Sequence, residues 1–266
     1  MNLAERLAHA FTTLGTRPSG LSLRERWRLS RMPRYAPTET VLDGHRVTVP
    51  DASSFLVGFD EIFGRKIYDF APANAAPYII DCGANIGLAC IFWKRRFPGC
   101  RVAALEPDPG LAEALSANVA SFELPGVTVH AVAAWTAETV LEFWHEGGAS
   151  GRLAPGASGE QIIRVPTMRL RDLLVDRVDL LKLDIEGAET EVLADCADRL
   201  GAVERVFVEY HSERGRPQTL HRVLALLHDA GFRYHLTEAL AARRPFISRP
   251  DSFGMDMQTN VFGFRD

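Results

Sequence analysis

From residue 78 onward, short apolar runs alternate with segments whose apolar positions recur at helical spacing. Such alternation predicts a parallel sheet with helices on both faces. Strands are expected near 78–81, 101–106, 127–132, 178–184, 204–210, 231–235 and 258–264. Helices are expected near 86–96, 109–120, 167–174, 187–199 and 216–229. Residues 138–165 interrupt this pattern. There Val140-Leu141-Glu142-Phe143-Trp144 and Ile162-Ile163-Arg164-Val165 flank a stretch rich in Gly, Ser and Ala. An inserted hairpin or flap is expected, with Gly147 to Gly159 as a mobile loop.

The first 75 or so residues have another character. Leu3 to Leu14 has a helical pattern, and Leu21 to Met32 is a second helix candidate crowded with Arg24, Arg26, Arg28 and Arg31. Those arginines are read as a solvated face rather than as an anion site. Residues 40–49 alternate around Asp43-Gly44, a strong hairpin signal. Phe55 to Phe63 then reads as an amphipathic helix in which Glu61 either caps a turn or faces a cleft. The chain thus divides into an N-terminal helical and hairpin extension over 1–75, suited to capping a cleft or forming a homodimer surface, and an α/β domain over 76–266.

Composition narrows the class. Of 266 residues, 47% are hydrophobic and 24% charged, as in ordinary globular proteins. A net charge of -4 offers no electrostatic case for nucleic acid. The first residues carry Glu5, Arg6 and His9, unlike a signal peptide, and no stretch has the length and apolarity of a membrane span. Cys82, Cys90, Cys100 and Cys196 lack CxxC spacing and read as reduced thiols of a cytoplasmic protein.

The chemistry gathers at strand ends. Tyr78-Ile79-Ile80-Asp81-Cys82-Gly83-Ala84-Asn85-Ile86-Gly87 is an apolar strand ending in an acid and a glycine turn before a helix. A second strand ends in Glu106-Pro107, about twenty residues past the last glycine, where a ribose-binding acid is expected. A pyrophosphate cradle wants Gly-x-Gly-x-x-Gly, but Asn85 breaks that pattern and Asp81 would repel the anion. Asn tolerates the left-handed backbone such a turn needs. The combination suits a cofactor with a cationic amino-acid end, such as S-adenosylmethionine, with Glu106 accepting both ribose hydroxyls. Ala133, Ala134 and Trp135 follow the third strand, where adenine would lie, and Trp135 either covers the ring or is a core aromatic.

Two further strand ends are unusually polar. Buried parallel strands read as continuous apolar runs, yet Lys182 and Asp184 break one on the same face, and Glu186 follows. Asp184, Glu186 and Glu209 are the acids expected to neutralise Lys182, because an unpaired buried charge is costly. Glu209 and His211 close the next strand, at the edge where open α/β sheets bind ligands. An imidazole near its ordinary pKa takes a proton from a hydroxyl.

Together these motifs resemble the FkbM family of S-adenosylmethionine-dependent methyltransferases. The resemblance rests on Ile80 to Gly87, Glu106-Pro107-Asp108, Asn118, Leu181 to Glu189, Glu209-Tyr210-His211 and the closing Met255 to Arg265. It implies a class I methyltransferase, Rossmann-like sheet of seven strands with the last antiparallel, and methylation of a hydroxyl. Glu61 and Tyr68 resemble a pre-domain element of members associated with surface-polysaccharide genes. The family acts on polyketide and sugar hydroxyls alike; the acidic cluster favours a small-molecule or glycan acceptor bearing sugar hydroxyls. The expected site is then Asp81, Gly83, Ala84, Asn85, Gly87, Glu106, Pro107, Ala133 and Trp135 for the cofactor. Lys182, Asp184, Glu186, Glu209 and His211 are expected around the acceptor. A variant holds magnesium or manganese on Asp184, Glu209 and His211. A nicotinamide-dependent oxidoreductase and a non-catalytic binding module are the competing classes.

Overall fold

The computed structural model describes residues 20–145, 151–153, 162–240, 244, 246–248 and 254–265. The helix expected over Leu3 to Leu14 and most of the glycine-rich flap loop lie outside these residues. The first described helix, α1, spans Leu23–Leu29 and is capped by Ser22, whose side chain accepts the Glu25 N–H. Arg26 pairs with Asp60 at 2.7 Å and Arg28 with Glu25 at 2.5 Å, Arg24 is exposed, and Arg31, just past the helix, lies over the Trp27 ring. Strands β1 (Thr38–Leu42) and β2 (His45–Val49) form the expected hairpin, with Asp43 and Gly44 both at positive φ. Helix α2 (Ala52–Phe59) follows, capped by Asp51, and runs into a π-helical turn over Asp60–Arg65.

The main sheet comprises β3 (Tyr78–Cys82), β4 (Arg101–Leu105), β5 (Val127–His130), β10 (Leu180–Leu183), β11 (Arg205–Glu213), β12 (Arg233–Leu240) and β13 (Met255–Phe264). Its order is β12-β13-β11-β10-β3-β4-β5. All neighbours are parallel except β13, which runs antiparallel to both β11 and β12. The strand order reverses between β3 and β10, so the carboxyl ends of these two strands open a crevice.

Helices α3 (Leu88–Arg96) and α4 (Pro109–Ser121) pack with the N-terminal elements on one face, where Leu29, Val47, Phe55 and Phe59 share a core with Ile79, Val102 and Phe207. Helices α5 (Glu189–Asp195) and α6 (Leu220–Asp229) cover the other face, over Ile80, Leu181, Val206 and Val208. Asn118 of α4 joins the hairpin to the glycine turn: it accepts the Thr48 N–H at 2.7 Å and donates to Ile86 O at 2.9 Å. The four cysteines are free and buried. Among the described residues no helix is long and apolar enough to cross a membrane.

The interruption over 138–165 is a second, smaller sheet of order β6-β9-β7-β8, from β6 (Ala133–Trp135), β7 (Val140–His145), β8 (Gly151–Leu153) and β9 (Ile162–Arg169). The helix expected over 167–174 is corrected by this arrangement. Residues 167–169 belong to β9, paired with β6, and only Leu170–Leu173 form a short 3-10 turn. Pairing with β6, remote in sequence, overrides local helical spacing.

Candidate active site

The first half of the site is built on the turn after β3. Gly83, Asn85 and Gly87 have φ of 82°, 51° and 84°. A Cβ on Gly83 would meet Asp184 O at 1.9 Å, so only glycine lets the β3 and β10 loops touch. The Gly83 and Ala84 N–H groups both donate to Leu105 O at 3.0 Å, which ties this turn to the end of β4. Glu106, just beyond β4, accepts the Asn85 N–H at 2.8 Å and the Asp108 N–H at 2.9 Å. Burial pushes its carboxyl up to about 7, against the pull of those two hydrogen bonds. Asp108 in turn caps α4, accepting the Gly110 and Leu111 N–H groups.

Gly83, Asn85, Glu106 and Pro107 line one cleft with Ala133, Ala134, Phe143, Asp184 and Glu186, about 620 Å³ counted to its open mouth. Trp135 is not among its lining residues. It lines a neighbouring cavity of about 1050 Å³ with Leu141, Arg164, Glu186 and Arg216. Phe143 of the small sheet supplies an aromatic wall to the cleft instead; sequence reading missed it because β7 lies in the insertion. Ala84 lines a third cavity, and Gly87 begins α3 without facing any of these clefts.

That third cavity, about 630 Å³, shares Gly83, Asn85 and Asp184 with the first. Its floor is Asp81 and Lys182, and its cover is Ser54, Glu61 and Tyr68 from the N-terminal elements. Glu61 therefore faces the cleft. Asp81 and Lys182 sit opposite each other in the β3–β10 register, with Lys182 Nζ 3.1 Å from Asp81 Oδ1 and donating to Gly83 O at 2.9 Å. Asp184 is a further 3.6 Å contact of the ammonium. The principal partner of Lys182 is thus Asp81, not one of the acids expected from its own strand end. Burial lowers the affinity of Lys182 for its proton, but Asp81 and Asp184 more than restore it and hold the ammonium charged.

The second half of the site is a carboxylate–imidazole cluster. His211 Nδ1 lies 2.9 Å from Glu189 Oε1, with both side chains 1% exposed. The same oxygen accepts the Gly187 N–H at 3.0 Å and the Ile185 N–H at 3.3 Å. His211 Nε2 lies 3.5 Å from Glu186 and 3.7 Å from Glu209. Burial disfavours the charged ring, but Glu186 and Glu189 outweigh it and raise the His211 pKa well above the usual histidine range. This upward direction departs from the ordinary pKa expected on sequence. Burial, with Asp184 nearby, pushes the Glu209 carboxyl up to about 8. Sequence analysis did not single out Glu189 as a partner of His211, although its place in the first turn after Glu186-Gly187 was a signal.

A seven-stranded sheet of this order, with its one reversed strand and a glycine turn facing an acid across two strand ends, defines a class I methyltransferase fold. A family model described as the methyltransferase FkbM domain matches residues 81–234, more than half of the chain. The chain belongs to the FkbM methyltransferase family. Methyltransferase sdnD of Sordaria araneosa is 32% identical over 212 residues, covering 65% of this chain and 80% of that protein. Methyltransferase 1 of Beauveria bassiana is 29% identical, covering 72% and 84%. The 31-O-demethyl-FK506 methyltransferase FkbM of Streptomyces tacrolimicus is 28% identical, covering 65% and 80%. Among solved structures, an FkbM methyltransferase from Methylobacillus flagellatus superposes with a TM-score of 0.49 at 16% identity, over 71% of this chain and 44% of that one.

Proposed function

We propose that the protein is an S-adenosylmethionine-dependent O-methyltransferase acting on a hydroxyl of a sugar, glycan or glycosylated natural product. The observation that carries the reading is continuity: the cleft at Glu106 runs through Asp184 and Glu186 directly to the His211 cluster. Each Glu106 oxygen already accepts one N–H and keeps lone pairs for a ribose hydroxyl. Adenine lies between Ala133, Ala134 and Phe143. The amino-acid end enters the cavity floored by Asp81 and Lys182, where Glu61 and Asp184 offer carboxylates to its ammonium. Asp81, paired with Lys182, holds the glycine turn rather than the cofactor. Residues Ala52 to Tyr68 cover this end of the cofactor.

In the reaction the acceptor oxygen attacks the sulfonium methyl carbon. The new O–C bond forms as the S–C bond breaks, and the bonding pair stays on sulfur. The hydroxyl proton passes to the carboxylate–imidazole cluster, which titrates as a unit. Holding both reactants in line supplies much of the acceleration.

The acceptor class is supported by the large cavity that meets the cofactor cleft at Glu186 and Ala188. Trp135 gives it a face on which a sugar ring stacks, and Glu142, Glu186 and Glu213 offer acceptors for hydroxyls. A polyketide hydroxyl is the second reading; the Streptomyces relative is a 31-O-demethyl-FK506 methyltransferase.

The test uses methyl-labelled S-adenosylmethionine with a panel of glycans, glycosylated natural products and macrolides. Transfer to a sugar hydroxyl, with Asp184→Asn and His211→Ala each losing turnover but keeping S-adenosylhomocysteine affinity, is the expected result. Selective calorimetric binding of NADH over S-adenosylhomocysteine would overturn the cofactor. Full activity in both variants would overturn the centre.

A further inference from the structure

Four carboxylates converge on one buried imidazole at the ends of β10 and β11. Asp184, Glu186, Glu189 and Glu209 stand there against His211, while Lys182 makes its shortest contacts with Asp81 and Gly83 O.

The imidazole is also aimed. Glu189 Oε1, pinned by the Gly187 and Ile185 N–H groups, takes Nδ1 at 2.9 Å and fixes the ring. Nε2 then points at Glu186 and Glu209, at 3.5 Å and 3.7 Å, beyond normal hydrogen-bond length. One ligand atom each from Asp184, Glu186 and His211 lies within 4.8 Å of the others. Atoms sharing a cation at roughly 2.1 Å stand about 3–4 Å apart, so a small contraction closes the set. A buried carboxylate on the far nitrogen is the usual partner of a metal-bound histidine.

We infer that Asp184, Glu186 and His211 form a divalent-cation site, with Glu209 within reach and Glu189 as the carboxylate that orients the ring. Two carboxylate oxygens with an imidazole nitrogen suit manganese better than magnesium, which prefers oxygen ligands throughout. The set differs from the one expected on sequence, because Glu186 rather than Glu209 completes the triad. Asp184 and Glu186 face the cofactor cleft, and Glu186 also faces the larger cavity. An ion here meets the acceptor hydroxyl where the two spaces join; this role, unlike the binding itself, rests on the proposed methyl transfer.

The full chain is titrated with manganese, followed by calorimetry and by loss of the free-ion electron paramagnetic resonance signal, with and without S-adenosylhomocysteine. One ion per chain is expected. Glu186→Gln and His211→Ala should each weaken it by about 100-fold, and Glu189→Gln by about 10–100-fold. Glu39→Gln, on the distant β1 hairpin, should leave it unchanged. Circular dichroism reports folding, and Glu186→Gln, on a partly exposed turn, serves if His211→Ala unfolds. Absence of binding by the wild type, or equal binding by Glu186→Gln and Glu39→Gln, overturns the site. S-adenosylhomocysteine affinity, read in the same titrations, separates that failure from failure of the cofactor reading.

Discussion

Lys182 Nζ lies 3.1 Å from Asp81 Oδ1 across the β3–β10 register, with the two side chains 4% and 0% exposed. The pair locks the centre of the sheet where its order reverses, and through the Lys182 hydrogen bond to Gly83 O it also sets the glycine turn. Lys182→Met leaves Asp81 buried without a cation. Breaking a buried pair this way costs about 3–5 kcal/mol. The double variant with Asp81→Asn should recover part of that loss. Urea unfolding of all four members of the cycle checks it; an additive double variant would refute the coupling.

Glu106 is expected to carry the ribose. Glu106→Gln should weaken S-adenosylhomocysteine by about 10- to 100-fold, the worth of one or two hydrogen bonds to a charged group. Calorimetry at fixed pH reads this directly, and an unchanged affinity would remove Glu106 from the cofactor site.

The pH response of the same residue has two opposite signs. Burial pushes its carboxyl up to about 7 in the fold, against 4.5 for a solvated glutamate. The folded protein thus holds a proton that the unfolded chain releases. Its stabilising contribution is complete below about pH 4.5 and is lost as pH rises through about 7, a change of about 3 kcal/mol. Cofactor affinity runs the other way, falling as pH drops below about 7 and the carboxylate is protonated. Melting temperature and S-adenosylhomocysteine affinity measured between about pH 6 and 8, wild type against Glu106→Gln, isolate both effects.

Gly83 admits no side chain. Gly83→Ala places Cβ against Asp184 O and keeps a φ of 82°, so a loss of about 3 kcal/mol or more is expected, with S-adenosylhomocysteine binding abolished. Gly44→Ala has a similar φ of 87° but nothing within 4 Å, and should cost about 1–2 kcal/mol. Thermal unfolding of the two variants separates steric contact from backbone strain.

Much of this protein was legible along the chain. Apolar runs at strand length, glycines at positive φ, the Asp43-Gly44 hairpin and the Glu106 spacing are local features, and short-range sterics and periodicity specify them. The family motifs around Asp81, Glu106, Asp184 and Glu209 placed the polar residues at strand ends for the same reason. What local pattern could not carry was partnership between distant segments. The pairing of Lys182 with Asp81 depends on strand register, and the helix expected over 167–174 gave way to pairing of β9 with β6. Trp135 left the cofactor cleft to Phe143 because an insertion brought another strand to its wall. The upward shift of the His211 pKa arises only once Glu186 and Glu189, more than twenty residues away, are packed around it. Burial and charge are properties of neighbours in space. The chain alone determined which strand ends carry polar groups, and the tertiary structure decided which of those groups face one another.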